Sequence, residues 1–241
     1  MASPVEQFEL KPLIPIEIGG VDLSFTNSAL FMALAVVAAA VFLTQSMRGR
    51  QLVPNRWQSM AELSYEFIAN MVREQVGSDG RPYFPFIFAL FMFILLGNLL
   101  GMVPYAYTFT SQIIVTFAMA MAVFIGVTVI AIVKHGVHFL GFFFPAGAPI
   151  YMAPLLIPIE ILSYLSRPIS LSVRLFANMM AGHTMMKVFG GFVVALGVFG
   201  VAPMLVLIAL TGFEILVAVL QAYVFTILTC IYLRDALHLH H

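Results

Sequence analysis

The chain has 241 residues, of which 62% are hydrophobic and only 9% charged, with 11 basic residues balancing 11 acidic ones. Soluble domains contain about 45–50% apolar and about 25% charged residues, so this composition excludes a water-soluble globule and indicates a membrane protein. The zero net charge and the lack of any run of Lys or Arg also exclude a nucleic-acid-binding protein. The single cysteine, Cys230, can form no internal disulfide.

The N-terminal part of the chain predicts a polar arm followed by a first membrane span. Residues 1–26 contain three prolines and lack the basic start of a cleavable signal peptide. Residues 27–46 are mostly apolar and uncharged, and they are long enough to cross about 30 Å of hydrocarbon. We therefore expect the first span to begin directly after the arm.

The next segment combines many charges with an apolar stripe. Residues 47–81 hold five arginines interleaved with acidic residues. Within residues 55–76, apolar side chains recur every three or four positions, which predicts an amphipathic helix capped by Asn55 or by Ser59. Such a helix suits the plane of a membrane interface, and a helix packed on a soluble partner is the alternative.

Two further spans are predicted over residues 83–103 and 111–133, joined by an uncharged aromatic turn over residues 104–110. Loops rich in Lys and Arg stay in the cytoplasm. The arginines of residues 47–81 and Lys134 after the third span therefore place the arm and the aromatic turn on the outer side.

The last hundred residues predict two unusually long helices. Residues 154–189 and 203–235 each contain a single glycine, and Gly190–Gly191 supplies the expected stop of the first helix. At 1.5 Å per residue, each helix is about 50 Å long and exceeds a hydrocarbon core of about 30 Å. We expect a strongly tilted hairpin that turns within residues 190–202 and leaves the C-terminus in the cytoplasm.

Together these elements predict an all-α, polytopic membrane protein. It has five membrane helices, the last two forming the tilted hairpin, and one interfacial helix, within a single membrane domain over residues 27–241. The chain contains no repeated half, no glycine-rich phosphate loop and no metal-binding Cys/His spacing, so we expect no cofactor and no metal. The terminal residues His238, His240 and His241 predict a solvated tail.

Six charged side chains occur between residues 82 and 233. Ionisable groups within membrane segments cost about 3 kcal/mol each on insertion scales, which makes them candidates for function. The six are Lys134, Glu160, Arg167, Arg174, Lys187 and Glu214.

One face of the first long helix is lined by polar residues three or four positions apart, within an arc of about 120°. These residues are Glu160, Ser163, Arg167, Ser170, Arg174 and Asn178. His183 and Lys187 share a second face, displaced by about 13 Å along the axis from Arg174. Arg174 has no carboxylate three or four positions away, so it requires a partner from elsewhere.

The second long helix repeats the polar pattern with Thr211, Glu214 and Gln221. If the two helices are antiparallel with a turn near residue 195, His183 lies 12 residues before the turn and Glu214 lies 19 residues after it. The two side chains can meet if a non-helical stretch at the turn takes up this difference of seven residues. A histidine and a carboxylate are typical of proton relays in membranes, so we favour a relay over a simple buried pair.

Structural roles compete with functional ones for three of these residues. Arg167 is expected to pair with Glu160 or to reach the membrane interface, and Lys187 to extend to the interface near a helix end. Asn178 either joins the helices by a hydrogen bond or acts beside Arg174.

Two long motifs resemble subunit a of the F-type ATP synthase membrane sector. The first is Ser-Leu-Ser-Val-Arg-Leu-Phe-Ala-Asn-Met-Met-Ala-Gly-His over residues 170–183. The second is Phe-Glu-Ile-Leu-Val-Ala-Val-Leu-Gln-Ala-Tyr-Val-Phe-Thr-Ile-Leu over residues 213–228. The run Gly-Asn-Leu-Leu-Gly-Met over residues 97–102, followed by Pro104, extends the match to roughly residues 25–235.

The resemblance implies a role for the residues around the central arginine. Arg174 matches the family's essential arginine, which faces the proton-carrying carboxylate of the rotating c-ring. Asn178 and Gln221 match the polar residues that flank it, and Ser170 belongs to the same proton path.

The resemblance also implies two separate half-channels. His183 and Glu214 match a pair in the periplasmic half-channel, and Glu160 matches an acid in the cytoplasmic one. Histidine before glutamate is the order familiar from mitochondria, which points to an alphaproteobacterial or mitochondrion-like source. Gly101 stands where the enteric bacterial form has an aspartate, so the role of that position does not transfer.

A protein of this family works only inside a hetero-oligomeric ATP synthase. The resemblance therefore implies c-ring subunits, b-type subunits of the peripheral stalk and membrane lipid as partners. It also implies a multi-pass protein of the bacterial inner membrane that couples proton flow to ring rotation and ATP synthesis, without catalytic residues of its own.

Two other interpretations are open. In a stand-alone secondary transporter or proton channel, Glu160, His183 and Glu214 would bind a substrate or an ion. In a purely structural membrane anchor, the polar residues would only join helices, but this leaves the uncompensated Arg174 unexplained.

Overall fold

A computed structural model of the chain describes residues 8–15, 17–18, 21–22, 24–49, 51–103, 106–136, 139, 141 and 150–238. Pro104, His240 and His241 lie outside the described residues. Most of the described residues are helical, which confirms the helical fold class. The helices are α1 (Asn27–Ser46), α2 (Arg56–Gln75), α3 (Phe84–Gly101), α4 (Ile113–His135), α5 (Ala153–Leu196) and α6 (Val201–Leu237). Short 3₁₀ turns lie at Ser78–Tyr83, Phe109–Ser111, Ile150–Met152 and Gly197–Gly200.

The N-terminal arm contains four short strands that the sequence pattern does not predict. The strand β1 (Pro12–Ile14) pairs antiparallel with β4 (Phe25–Thr26), and β2 (Glu17–Ile18) pairs antiparallel with β3 (Val21–Asp22). Strands of two or three residues are too short to show an alternating pattern, so the sequence predicts only a polar arm. The arm folds back onto α1, where the Asn27 side chain donates to the main-chain carbonyl of Glu9 at 3.1 Å.

The first two helices begin at polar caps. The Thr26 hydroxyl accepts a hydrogen bond from the Ala29 N–H at 3.4 Å, and the Asn55 side chain accepts one from the Gln58 N–H at 2.8 Å. Asn55 is therefore the cap of α2, whereas Ser59, the other candidate, lies inside the helix. The helix α2 buries part of its apolar stripe, namely Ala61, Ile68, Met71 and Val72, whereas Trp57, Met60 and Phe67 are exposed.

Four stretches of the described chain are long and apolar enough to cross a membrane: α1, Ser78–Gly101, α4 and the whole of Ala153–Leu237. The last stretch contains both α5 and α6, of 44 and 37 residues, which are antiparallel and joined by the 3₁₀ turn at Gly197–Gly200. Their lengths are about 66 Å and 56 Å at 1.5 Å per residue. Helices of this length exceed a hydrocarbon core of about 30 Å, so they fit only with strong tilt or with ends outside it.

The predicted end of α5 at Gly190–Gly191 is wrong. The helix continues to Leu196 and stops at Gly197, whose φ of 54° is a left-handed conformation that favours glycine. A glycine inside a helix costs only about 1 kcal/mol relative to alanine, so two glycines in an apolar segment do not end the helix. The turn is consequently shorter than the predicted 190–202 segment.

The helix α6 lies at the centre of the bundle and contacts α2, α3, α4 and α5. Buried apolar side chains from all five of these helices meet there, among them Ile87, Phe91, Leu175, Met179 and Phe225. Many other large apolar side chains on α1, α4, α5 and α6 are exposed, as expected for surfaces that face lipid.

Candidate functional site

His183 on α5 and Glu214 on α6 lie in direct contact, which is the meeting that their spacing predicts. The distance from His183 Nδ1 to Glu214 Oε1 is 3.3 Å, and the two side chains are 8% and 4% exposed. Gly182 permits this approach, because a Cβ at that position would lie 2.8 Å from Glu214 Oε1. Within the described residues, neither carboxyl oxygen of Glu214 accepts an aligned hydrogen bond. A buried carboxylate without an aligned donor is costly, and the contact with His183 Nδ1 can relieve this cost if the two groups share a proton.

Thr108, in the connection between α3 and α4, extends this pair into a line of polar groups. Its hydroxyl oxygen lies 2.8 Å from His183 Nε2 and donates to the main-chain carbonyl of Gly101 at 3.2 Å. Thr108 itself is only 5% exposed. Sequence patterns do not reveal this residue, because an irregular uncharged turn has no periodicity that distinguishes one hydroxyl from another.

A cavity of about 940 Å³ opens beside this line of polar groups, on the side of the N-terminal arm. Its lining includes His183 together with Phe8, Lys11, Tyr107, Lys187 and Thr211. The Phe8 carbonyl accepts hydrogen bonds from Gln112 Nε2 at 2.6 Å and from the Tyr107 hydroxyl at 3.4 Å, which tethers the arm here. Burial raises the pKa of Tyr107, so its hydroxyl stays protonated as a donor. The cavity therefore connects His183 to the part of the protein that carries the arm.

Arg174 lies on an exposed face of α5 together with Ser170 and Asn178. Within the described residues, its guanidinium makes no hydrogen bond and no ion pair. The exposed surface of α5 and α6 is otherwise rich in large apolar side chains, such as Ile169, Val173, Leu216 and Leu220. A permanent cation on an apolar surface is costly, and no residue of the described part of the chain supplies Arg174 with a counter-charge.

A side-chain hydrogen bond joins the two long helices one turn from Arg174. Asn178 Nδ2 donates to Gln221 Oε1 at 2.9 Å, and Gln221 is 3% exposed. Gln221 Nε2 is buried and has no acceptor among the described residues. The bond aligns α5 with α6 and leaves one amide donor unused beside the arginine.

The prediction that Arg167 pairs with Glu160 is wrong. Arg167 Nη1 lies 3.2 Å from Asp235 Oδ2 on α6. Its guanidinium also lies over the rings of Tyr164 and Tyr232, with centroids 5.3 Å and 5.1 Å away. The antiparallel alignment of α5 and α6 brings Asp235 opposite Arg167, and a bond across the helices replaces one along the helix.

Glu160 and His183 lie far apart on α5. Glu160 is half-buried near the start of the helix and, among the described residues, makes no hydrogen bond or ion pair. The 23 residues from Glu160 to His183 correspond to about 35 Å along the axis. Arg174 lies between them, so two separate polar regions flank the unpaired cation.

Asn98 on α3 is a fully buried amide that the sequence patterns also do not single out. Its Nδ2 donates to the Ala218 carbonyl at 3.2 Å, and its Oδ1 accepts from the Thr110 hydroxyl at 2.8 Å. Its place in the motif over residues 97–102 is the only sequence signal for it. These bonds fasten α6 and the connection that carries Thr108 to α3.

Fold and site together define a class of protein. It is a multi-pass helical membrane protein in which two long antiparallel helices carry a buried histidine–carboxylate pair and an exposed arginine with no ion pair in the described part of the chain. The family model for the ATP synthase A chain matches residues 28–234, and the chain belongs to this family.

Close relatives cover essentially the whole chain. It is 60% identical over 247 residues to ATP synthase subunit a of Paramagnetospirillum magneticum and 58% identical over 241 residues to that of Rhodospirillum rubrum, with 100% of both chains covered in each case. It is 57% identical over 243 residues to ATP synthase subunit a of Rhizobium etli, covering 98% of this chain and 97% of the relative. Relatives from alphaproteobacteria agree with the source that the order of His183 and Glu214 indicates.

Proposed function

We propose that this chain is the proton-channel subunit of a bacterial F-type ATP synthase, coupling proton translocation to c-ring rotation without nucleotide chemistry of its own. The observation that carries the proposal is Arg174, a cation that has no partner among the described residues and lies on an apolar helix surface. A carboxylate on a c-ring subunit supplies the missing counter-charge. Because the surrounding surface is apolar, the ring can slide past while the arginine attracts one carboxylate after another.

Arg174 acts on the ring as a fixed charge. A nearby cation stabilises the anionic form of a carboxylate, so each ring carboxylate releases its proton as it approaches. Arginine itself keeps its proton, so protons cannot pass through Arg174 from one side to the other. Ser170 and Asn178 lie on the same exposed face and supply polar groups for the carboxylate as it passes, and Gln221 holds Asn178 through their hydrogen bond.

Two half-channels lead to this point from opposite sides. The cavity of about 940 Å³, lined by His183, which contacts Glu214, serves the side of the arm, and Glu160 serves the other side. Arg174 separates them along α5, so protons travel between the two half-channels only on the ring. Proton flow and ring rotation are coupled for this reason.

We place the protein in the bacterial inner membrane, with the arm in the periplasm and the C-terminus in the cytoplasm. Lys134 in the last turn of α4 lies 3.3 Å from Asp79 after α2, which supports a common side for the two basic connections. Lipid covers the exposed apolar faces. The arm and α2 are the surfaces for b-type subunits of the peripheral stalk.

The proposal is tested by the substitution Arg174→Ala in the complete ATP synthase. We expect ATP-driven acidification of inverted membrane vesicles to fall to background, because the ring carboxylates lose their fixed counter-charge, while the complex still assembles. Arg234→Ala is the matched control, since this arginine is exposed at the end of α6 and lies 3.8 Å from Asp235. The Arg234→Ala complex should pump protons at the wild-type rate.

Normal pumping by the Arg174→Ala complex contradicts the proposal. A second measurement addresses the alternative of a stand-alone transporter or channel. The purified chain in liposomes should conduct no protons without the ring, and proton flux through the chain alone would favour that alternative.

A further inference from the structure

We propose that Thr108 is a positioning residue of the proton path: its hydroxyl holds His183 with a proton on Nε2 and with Nδ1 free to exchange a proton with Glu214. This inference rests on the proposed function and deepens it. It gives a role to an uncharged residue in the connection between α3 and α4, outside the two long helices.

The hydrogen-bonding capacity of Thr108 determines which imidazole nitrogen carries the proton. A threonine hydroxyl has one proton to donate and can accept two hydrogen bonds. The Gly101 carbonyl, at 3.2 Å, can only accept a hydrogen bond, so we assign the hydroxyl proton of Thr108 to it. In the shorter contact of 2.8 Å to His183 Nε2, the nitrogen is therefore the donor. Nε2 thus keeps its hydrogen in both the neutral and the charged imidazole.

The other nitrogen, His183 Nδ1, becomes the site of the mobile proton. It lies 3.3 Å from Glu214 Oε1. When the O–H bond of Glu214 breaks, an N–H bond forms on Nδ1, and the neutral pair becomes an imidazolium and a carboxylate; the return step reverses both changes. With the opposite neutral tautomer, Nδ1 would already hold a hydrogen and could accept no proton from Glu214.

The surroundings of Thr108 fix its position. Its main-chain carbonyl accepts a hydrogen bond from the Ser111 hydroxyl at 2.6 Å. Gly101 leaves room for the side chain, because a Cβ at that position would collide with the Thr108 hydroxyl. Gly101 and Thr108 are therefore a matched pair: the missing side chain on α3 admits the hydroxyl that reaches His183.

The test compares three substitutions in the complete ATP synthase by ATP-driven vesicle acidification per assembled complex. Thr108→Val keeps the shape and removes the hydroxyl, and we expect the rate to fall roughly three- to twentyfold, the range for losing one buried bond between helices. Thr108→Ser keeps the hydroxyl and should restore at least half of the rate. Thr229→Val is the matched control, because this buried hydroxyl bonds only to the Phe225 carbonyl, and it should pump normally.

A second route breaks the same contact from the α3 side. Gly101→Ala should lower pumping as Thr108→Val does, and the double variant should be no worse than either single variant, because both substitutions remove one link. Gly126→Ala on α4 is the control, since a Cβ there meets nothing within 4 Å. If Thr108→Val does not assemble, Thr108→Cys, with a weak sulfur acceptor, should show the same loss.

Normal pumping by Thr108→Val, or a rate for Thr108→Ser no better than that of Thr108→Val, overturns the role of Thr108. Additive losses in the Gly101→Ala and Thr108→Val double variant also overturn it. A failure of the proposed function is recognised separately, because it would show as normal pumping by Arg174→Ala.

Discussion

Arg167 and Arg174 lie two turns apart on α5, yet their surroundings are opposite. Arg167 has a carboxylate at 3.2 Å and two tyrosine rings within 5.3 Å, whereas Arg174 is exposed and has no ion pair within the described residues. Both arginines belong to the same predicted polar stripe. The comparison teaches that a charge on a membrane helix is structural or available for function according to what the neighbouring helix places opposite it.

The alignment of α5 with α6 produces this difference. Asp235 near the end of α6 lies opposite Arg167, and Gln221 lies opposite Asn178. Arg174 falls between these two cross-links and receives no acid from α6. The hairpin thus gives Arg167 an ion pair and leaves Arg174 free to pair with a group on a partner subunit.

After the loss expected for Arg174→Ala, the largest effect is expected in the half of the hairpin beyond Arg174. We expect His183→Ala and Glu214→Ala each to lower proton pumping more than about tenfold, within the range for losing a general acid or base. Exchanging the two residues should preserve more activity, because the exchanged pair still shares one proton across the helices. Vesicle acidification measures this, and equal losses in all three variants would show that the two residues do not work as a pair.

An intermediate effect, on stability, is expected at the paired arginine. Arg167→Ala should lower the free energy of unfolding by about 1–3 kcal/mol, less than for a fully buried pair because both side chains are about one-fifth exposed. Adding Asp235→Ala should recover part of this loss by removing a carboxylate that is left with the more distant Arg234, at 3.8 Å. Thermal unfolding in detergent measures both variants.

Pumping per assembled complex sharpens the contrast with Arg174. It should stay close to the wild-type rate in the Arg167→Ala variant, whose role is structural. A complete loss of pumping in fully assembled Arg167→Ala complexes would contradict the assignment of a structural role to Arg167 and of a proton-translocating role to Arg174 alone.

The smallest effect is expected at the exposed pair of Lys134 and Asp79, 3.3 Å apart. The hydrogen bond and charge of Lys134 hold the pKa of Asp79 below its ordinary value of 3.8, and His238 adds to this. The pair therefore stabilises the fold at neutral pH, and its contribution is lost as the pH falls below that ordinary value. Asp79→Asn should cause a small drop in the unfolding temperature at pH 7 that vanishes at high salt. A drop that persists at high salt would contradict this assignment.

The fold was predictable where one helix determines the outcome. The structure begins α1 at Asn27 and ends it at Ser46, as the uncharged apolar run predicts, and α2 differs by one residue at each end from the predicted 55–76 segment. The end of α5 was not predictable from Gly190–Gly191, because a helix accepts two glycines when no competing conformation requires them.

The candidate site was predictable in part. The spacing of His183 and Glu214 in an antiparallel hairpin predicts their contact, and the structure shows it. The partner of Arg167 depends on the alignment of two long helices to within one residue, which spacing alone does not determine. Thr108 depends on the path of an irregular connection, where the sequence has no period to follow.

The hydrogen bonds that tether the N-terminal arm to the connection between α3 and α4 determine which positions tolerate substitution. Both of its hydrogen bonds, from Gln112 and Tyr107, end on the main-chain oxygen of Phe8 rather than on a side chain. Any residue at position 8 presents that oxygen. The residue at position 8 can therefore vary while the arm stays bound beside the cavity that His183 lines. Substitutions at Gln112 or Tyr107 would release the arm.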